Sequence, residues 1–224
     1  MTGLGGIEAA AHAIRLTQQN RPLTLSCEPT LLMRCLIPRI AAFRHAHPGV
    51  PVNLVAGGGP VALGAGVDLA IRRNDFIWPG HYASAHLFDE AIGPVCRPDR
   101  ADAARTENLP RLHSRTRISA WATWCQLSQQ SAIGGLEHSA QSLEFEHFYF
   151  SLQAAVAGLG CAIGPWHLVR DDLASGLLTA PFGFLPDGSS YHLLSTSPFA
   201  PNSPASQLRD WLREMSGAVP TTSA

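Results

Sequence analysis

Lysine is absent from this chain: its 16 basic residues are all arginine. That excludes a Walker-type phosphate loop, which needs a lysine, and also Schiff-base or lysine general-base chemistry. Charge of either sign is scarce, at 15% of 224 residues, with a formal net of −1. The arginines are dispersed rather than gathered into a basic stripe, so the chain itself carries no electrostatic footprint for nucleic acid. No run reaches the ~18 uninterrupted apolar residues of a membrane helix. The opening "MTGLGGIEAAAHAIRLTQQNRP" lacks a basic segment followed by an apolar core. It does not read as a secretory signal, so a cytoplasmic location with no membrane partner is expected.

The five cysteines, Cys27, Cys35, Cys96, Cys125 and Cys161, are odd in number and never fall in a C-x-x-C pair. A disulfide framework or zinc ribbon is therefore not expected, and buried reduced thiols are. His45-Ala46-His47 has no H-E-x-x-H around it, so neither a metal nor any other cofactor is expected. There is no G-x-S-x-G and no Ser–His–Asp set suggested by position, which argues against a hydrolase.

What is present is a hydrophobic content of 46%, enough to bury a real core. Leu23 to Ser26 reads as a strand, and Glu28-Pro29-Thr30 opens a helix with Pro near its first position. Leu32, Leu36, Ile40 and Phe43 continue at helical spacing, with Pro38 kinking or splitting the helix. Val50 to Val55 is the next strand, giving a βαβ unit and parallel pairing. A weak helix is expected over Pro60 to Leu63, then strands over 67–73 and Leu87 to Val95. The pattern repeats from Cys96, with a strand near Arg111 to His113 and a helix over Ser119 to Gln130 carrying Trp121, Trp124 and Cys125 on one face. Crossings after about residue 95 and near 190 predict an α/β fold of two Rossmann-like lobes joined by a hinge. A helix capped by Ser203 follows, with Leu208, Trp211 and Leu212 on one face.

The run "FSLQAAVAGLGCAIGP" resembles a nucleotide loop only superficially, because its order is reversed. Leu152, Ala155, Val156 and Leu159 place the helix first, Gly158 and Gly160 end it, and a buried strand from Cys161 follows. Gly164 and Pro165 end that strand, where backbone could approach a ligand closely.

Together with "LVRDDLASGLLTAPF", this stretch resembles the effector-binding domain of LysR-type transcriptional regulators, with glycine-cleavage activators as the subgroup. Further pieces in the same order extend the resemblance over about residues 21–215: "LSCEPTLLMRCLIPRIAAFRHAHPGVPVNL", "GVDLAIRR", "WPGHYASAHLFDEAIGPVCRPD", "LPRLHSRTR", "AWATW" and "SPASQLRDWLREM". The resemblance implies a fold of the type II periplasmic-binding-protein kind. Lobe I would take residues 21–95 plus 192–216 and lobe II residues 96–191, with 217–224 a disordered tail. It implies a small-molecule effector between the lobes and a homodimer, or a tetramer in the full-length protein. In the dimer, the first helix of one chain would face the Ser151–Leu159 helix of the other. It also implies a winged helix-turn-helix head that binds promoter DNA, with residues 1–20 as the end of the linker leading from it. A transport-type solute-binding protein of the same fold is the alternative, but that would need a signal peptide or lipoprotein cysteine.

Carried over residue by residue, the family's ligand contacts fall first on Ser26, Pro29 and Thr30, where a hydroxyl and helix-start amides suit a carboxylate. Thr30 could equally cap the helix. Glu28 departs from the pattern: it would repel an anion or pair with an ammonium group. Gly57 and Gly58, after the second strand, would contact the ligand through backbone. Of Arg72 and Arg73, alternation sends one into the cleft and the other to solvent or to Asp75. From the second lobe come His113, Gly164, Pro165 and Tyr149, the last from an aromatic trio with Phe148 and Phe150 that could be core or pocket wall. Cys27 is either a packed thiol or a redox sensor, and nothing electropositive flanks it in sequence.

Overall fold

In a computed structural model the described residues are 21–106, 109–128, 142–217 and 219. The expected linker end, residues 1–20, lies outside them, as do 129–130 of the expected second-lobe helix and nearly all of the tail.

One eight-stranded sheet runs through the molecule in the order β2-β1-β3-β8-β4-β7-β5-β6. β1 (Leu23–Cys27), β2 (Val52–Ala56) and β3 (Leu69–Arg73) are parallel, as the βαβ reading requires. At the far side β5 (Arg111–Ser114), β6 (Ser142–Phe145) and β7 (Cys161–Pro165) make a second parallel trio. Two long antiparallel strands join the halves: β4 (Ala83–Val95) and β8 (Leu185–Ser195). β3 pairs with the end of β8 and β7 with the end of β4, so both long strands serve both halves. Their register shifts between Asp89 and Ala91, where β8 spends Asp187, Gly188 (φ +78°) and Ser189 against Glu90 alone. A bulge of this kind re-aims side chains, and here it turns Glu90 inward.

Pro38 splits the first helix as expected. α1 covers 29–36 and α2 is Ile40–Ala46. The second part of α1 is a π turn in which the Ile37 amide donates to Leu32 O at 2.9 Å, five residues back. The other helices are α3 (Ala101–Thr106), α4 (Ala120–Ser128), α5 (Phe148–Val156), α6 (Trp166–Ala174) and α7 (Pro204–Ser216). α7 begins as the sequence predicts: Ser203 Oγ accepts the Ser206 amide at 3.1 Å, with Pro204 at the first position. Its Leu208 and Leu212 are fully buried, and Trp211 meets Phe43 of α2 at 5.2 Å. Each such leucine contributes roughly 1.5–3 kcal/mol by leaving water.

The helix expected over Pro60 to Leu63 does not form. Four residues between turns cannot nucleate one, and Gly59 (φ +74°), Gly64 (φ +97°) and Gly66 (φ +87°) hold the segment as an irregular loop. In the glycine run Gly158 does take the left-handed position, at φ +80°, after the last turn of α5.

Candidate functional site

The carboxyl ends of both parallel trios face one another across β8, and a cavity of about 420 Å³ lies between them. Open α/β sheets collect their ligands at such ends. The first half supplies Glu28 and Pro29 between β1 and α1, Gly58 and Gly59 after β2, and Ile71, Arg72 and Arg73 of β3 with the Asp75 and Phe76 turn. The second half supplies Thr116 and Arg117 after β5 and His147 before α5, while Tyr191 of β8 forms part of the lining from below.

Arg72 is 5% exposed and held by first-half atoms. Its Nε donates to Gly59 O at 2.8 Å, Nη1 to Ile71 O at 2.8 Å and Ser26 O at 3.3 Å, and Nη2 to Ser26 Oγ at 2.9 Å. The positive φ of Gly59 places its carbonyl in that contact, as glycine permits. Burial lowers the Arg72 pKa.

Arg73 anchors a second cluster. Its Nη1 meets Asp75 at 2.5 Å, Nη2 meets Asp187 at 2.8 Å, and Nε lies 2.8 Å from Ser189 Oγ and 3.0 Å from Glu90. Glu90, at the bulge, is 1% exposed and also pairs with Arg117. Tyr191 donates its hydroxyl to Glu90 Oε1 at 3.0 Å. Burial works against the charge on Arg117, but Glu90 beside it more than offsets this and its pKa is raised. The guanidinium also lies 5.0 Å over the Phe148 ring. One buried carboxylate thus joins an arginine of each half beneath the cavity.

Alternation was expected to send only one of the arginine pair to the cleft. Both line it, because two long side chains at the strand end reach the same space, and Arg73 finds Asp75 besides. Pro29 and Gly58 also line it. Ser26 sits behind Arg72, and a Cβ on Gly57 would lie 3.0 Å from Ser26 Oγ, so both belong to the layer that holds the guanidinium. Thr30 is buried in α1, outside the lining. His113 is half-buried on β5 opposite Glu144, with its pKa lowered by burial and Arg111. Tyr149 stacks on His147 at 5.2 Å and Phe148 lies under Arg117, so these two back the wall that His147 forms, while Phe150 is 46% exposed. Gly164 is wedged in the second-half core, where a Cβ would come within 2.9 Å of Val169 and 3.0 Å of Val95. Pro165 beside it caps α6 and is buried too. Cys27 is fully buried, and burial pushes its thiol well above the usual range, as for a packed thiol.

Sequence reasoning missed Thr116, Arg117, His147, Tyr191 and the Glu90–Asp187 floor. Glu90 alone left a signal, a carboxylate inside the apolar run "LFDEAIGPV". Among the described residues no group of three or more His, Cys, Asp or Glu is placed to hold a metal ion, and no helix is long and apolar enough to cross a membrane.

A family model described as the LysR substrate binding domain matches residues 17–217. The HTH-type transcriptional regulator TrpI of Pseudomonas aeruginosa is 36% identical over 211 residues, which cover 90% of this chain and 70% of that protein. The glycine cleavage system transcriptional activator of Escherichia coli is 27% identical over 208 residues, 91% of this chain and 68% of that one. The X-ray structure of the effector domain of the transcriptional regulator AmpR of Pseudomonas aeruginosa superposes with a TM-score of 0.68 at 28% identity, covering 88% of this chain and 96% of that one. It carries the same periplasmic-binding-protein-like arrangement of strands and helices. With a match over nearly its whole length, the chain belongs to the LysR substrate binding domain family.

Proposed function

We propose that this chain is the sensing half of a cytoplasmic LysR-type transcription factor and has no enzymatic role. It takes a small carboxylate or amino-acid-like effector into the cavity between lobe I (21–95 plus 192–216) and lobe II (96–191). It passes the signal to a winged helix-turn-helix head that binds promoter DNA. The observation that supports this best is the cavity itself: its walls come from both halves, so ligand affinity depends on their separation. A ligand that binds one separation better shifts the population toward it, by as much as its affinities differ.

The signal leaves through a homodimer. Met33 and Ile37 on and just after α1 are 45% and 53% exposed, and Phe150 and Leu159 on and after α5 are 46% and 52% exposed. These two apolar faces on opposite halves suit a two-fold pairing in which α1 of each protomer meets α5 of its partner.

Gly58 provides the test of the site. It lines the cavity, its φ is unexceptional, and a Cβ there meets nothing within 4 Å. Gly58→Phe should occupy the cavity while leaving the melting temperature within about 2 °C of the parent, since the backbone there is unstrained and the Cβ enters open space. A ligand found by thermal shift among amino acids and small carboxylates should bind this variant at least ten-fold more weakly. Equal binding by the variant would place the effector elsewhere.

A further inference from the structure

Among the described residues the charges around the cavity do not all find direct partners. Arg73 is met by Asp75, Asp187 and Glu90, and Arg117 by Glu90. Among the described residues no carboxylate lies within ion-pair distance of Arg72, although the charge of Glu28 acts on it from farther off: four of its N–H groups go to Gly59 O, Ile71 O, Ser26 O and Ser26 Oγ, leaving one N–H on Nη2. Glu28 is its counterpart. It lines the cavity, makes no side-chain cap for α1, and receives no hydrogen bond or ion pair on its carboxylate among the described residues. Burial pushes its carboxyl up against the pull of Arg117, as for an acid lacking a direct partner.

The cluster therefore holds three arginines (72, 73, 117) against four carboxylates (28, 75, 90, 187), a net of −1 when all are ionised. A plain carboxylate entering beside Arg72 would meet the Glu28 carboxylate, which has no direct ion-pair partner among the described residues. A plain amine would leave the last N–H of Arg72 unused. One ligand class answers both vacancies at once.

We propose that the cavity selects a zwitterion of the α-amino-acid class, its ammonium on the Glu28 carboxylate and its carboxylate on Arg72 Nη2. This rests on the reading of the cavity as the effector site. Pro29, Ile71 and Phe76 supply an apolar wall for the ligand's side chain, and 420 Å³ leaves room for one of moderate size. Glu28 is then the specificity-determining residue, because an ammonium–carboxylate contact in a confined site is charge-assisted and a ligand lacking the ammonium forfeits it.

The test is calorimetric titration of the folded chain with the standard L-amino acids and their D-enantiomers. The best binder is then compared with its 2-hydroxy acid, its N-acetyl derivative and its decarboxylated amine. We expect each of the three to bind at least ten-fold more weakly than the amino acid. Glu28→Gln, equal in size, should weaken the amino acid at least ten-fold and bind the hydroxy acid as well as the parent does or better, with an unchanged melting profile as the check on folding. The proposal is overturned if no amino acid binds, if the hydroxy acid or amine binds as tightly, or if Glu28→Gln keeps the parent's preference. A preference for plain carboxylates or amines that Gly58→Phe still abolishes would sink the ligand class and leave the cavity as the sensing site. Binding that survives both substitutions would sink both readings.

Discussion

Glu90→Gln is the perturbation that most directly probes what holds the two halves together. The carboxylate is 1% exposed, pairs with Arg117 from the second half and Arg73 from the first, and accepts the Tyr191 hydroxyl at 3.0 Å. Glutamine preserves shape and one acceptor but removes the charge. Arg73 keeps Asp75 and Asp187, whereas Arg117, 12% exposed, loses its one ion-pair partner among the described residues and keeps only the longer-range pull of Glu28. Removing one member of a buried pair costs about 3–5 kcal/mol, most of it the stranded charge. At roughly 2–4 °C per kcal/mol for a chain of this size, the melting temperature should fall by about 6–20 °C. Urea unfolding at neutral pH gives the free energy directly. If the loss arises from the stranded guanidinium, adding Arg117→Met should restore stability, with a coupling of about 2 kcal/mol or more in the double-mutant cycle. A single-variant loss below about 1 kcal/mol, or simple additivity in the double variant, would refute the account.

Two further expectations concern the scaffold. His167 is 1% exposed, its Nε2 lies 3.1 Å from Asp89 O, and burial lowers its pKa to about 4. The unfolded chain, with an ordinary histidine near 6.5, therefore binds more protons between pH 6.5 and 4. The contribution is fully present above 6.5 and lost on acidification, up to about 3 kcal/mol. His167→Gln should flatten that limb of a stability-versus-pH curve, and an unchanged slope would count against it. Gly160→Ala would bring a Cβ to 2.2 Å from Pro110 O, the acceptor of the Cys161 amide that starts β7. We expect it to cost more than about 3 kcal/mol in urea unfolding, since the obstacle is backbone that cannot swing away, and a near-neutral result would contradict that.

The reach of sequence reasoning follows the range of the interactions. The β1–α1–β2 unit was legible because its signals are local: Pro29 at a helix start, apolar residues at helical spacing, Pro38 at the split. Ser203 announced α7 in the same way. β6 gave no signal, because this edge strand is largely exposed and carries no buried face to impose alternation. The Pro60–Leu63 helix misled because a short apolar run between glycines has no periodicity to test. Pro29, Gly58, Arg72 and Arg73 could be placed at the cavity because each ends or follows a recognisable strand. Arg117, His147 and Tyr191 could not, since only the crossing of β4 and β8 brings them to residues far away in the chain.

The same crossing explains why the charges sit where they do. A bulge at Glu90 costs ladder hydrogen bonds, and a buried acid costs desolvation, so neither is a neutral feature of a strand. Here the two costs fall at one place, and each needs the other: the bulge turns the carboxylate inward, and Arg73 and Arg117 meet it from opposite halves. Glu28 and Arg72 both belong to the first half, whereas Thr116, Arg117 and His147 face them from the second. A ligand held by Glu28 and Arg72 would present its remaining surface to that second wall. Its contacts there would differ with the angle between the halves. The ion pairs of Glu90 with Arg73 and Arg117 would restrain that angle, and a ligand would select within the range they leave, which would let the cavity report occupancy.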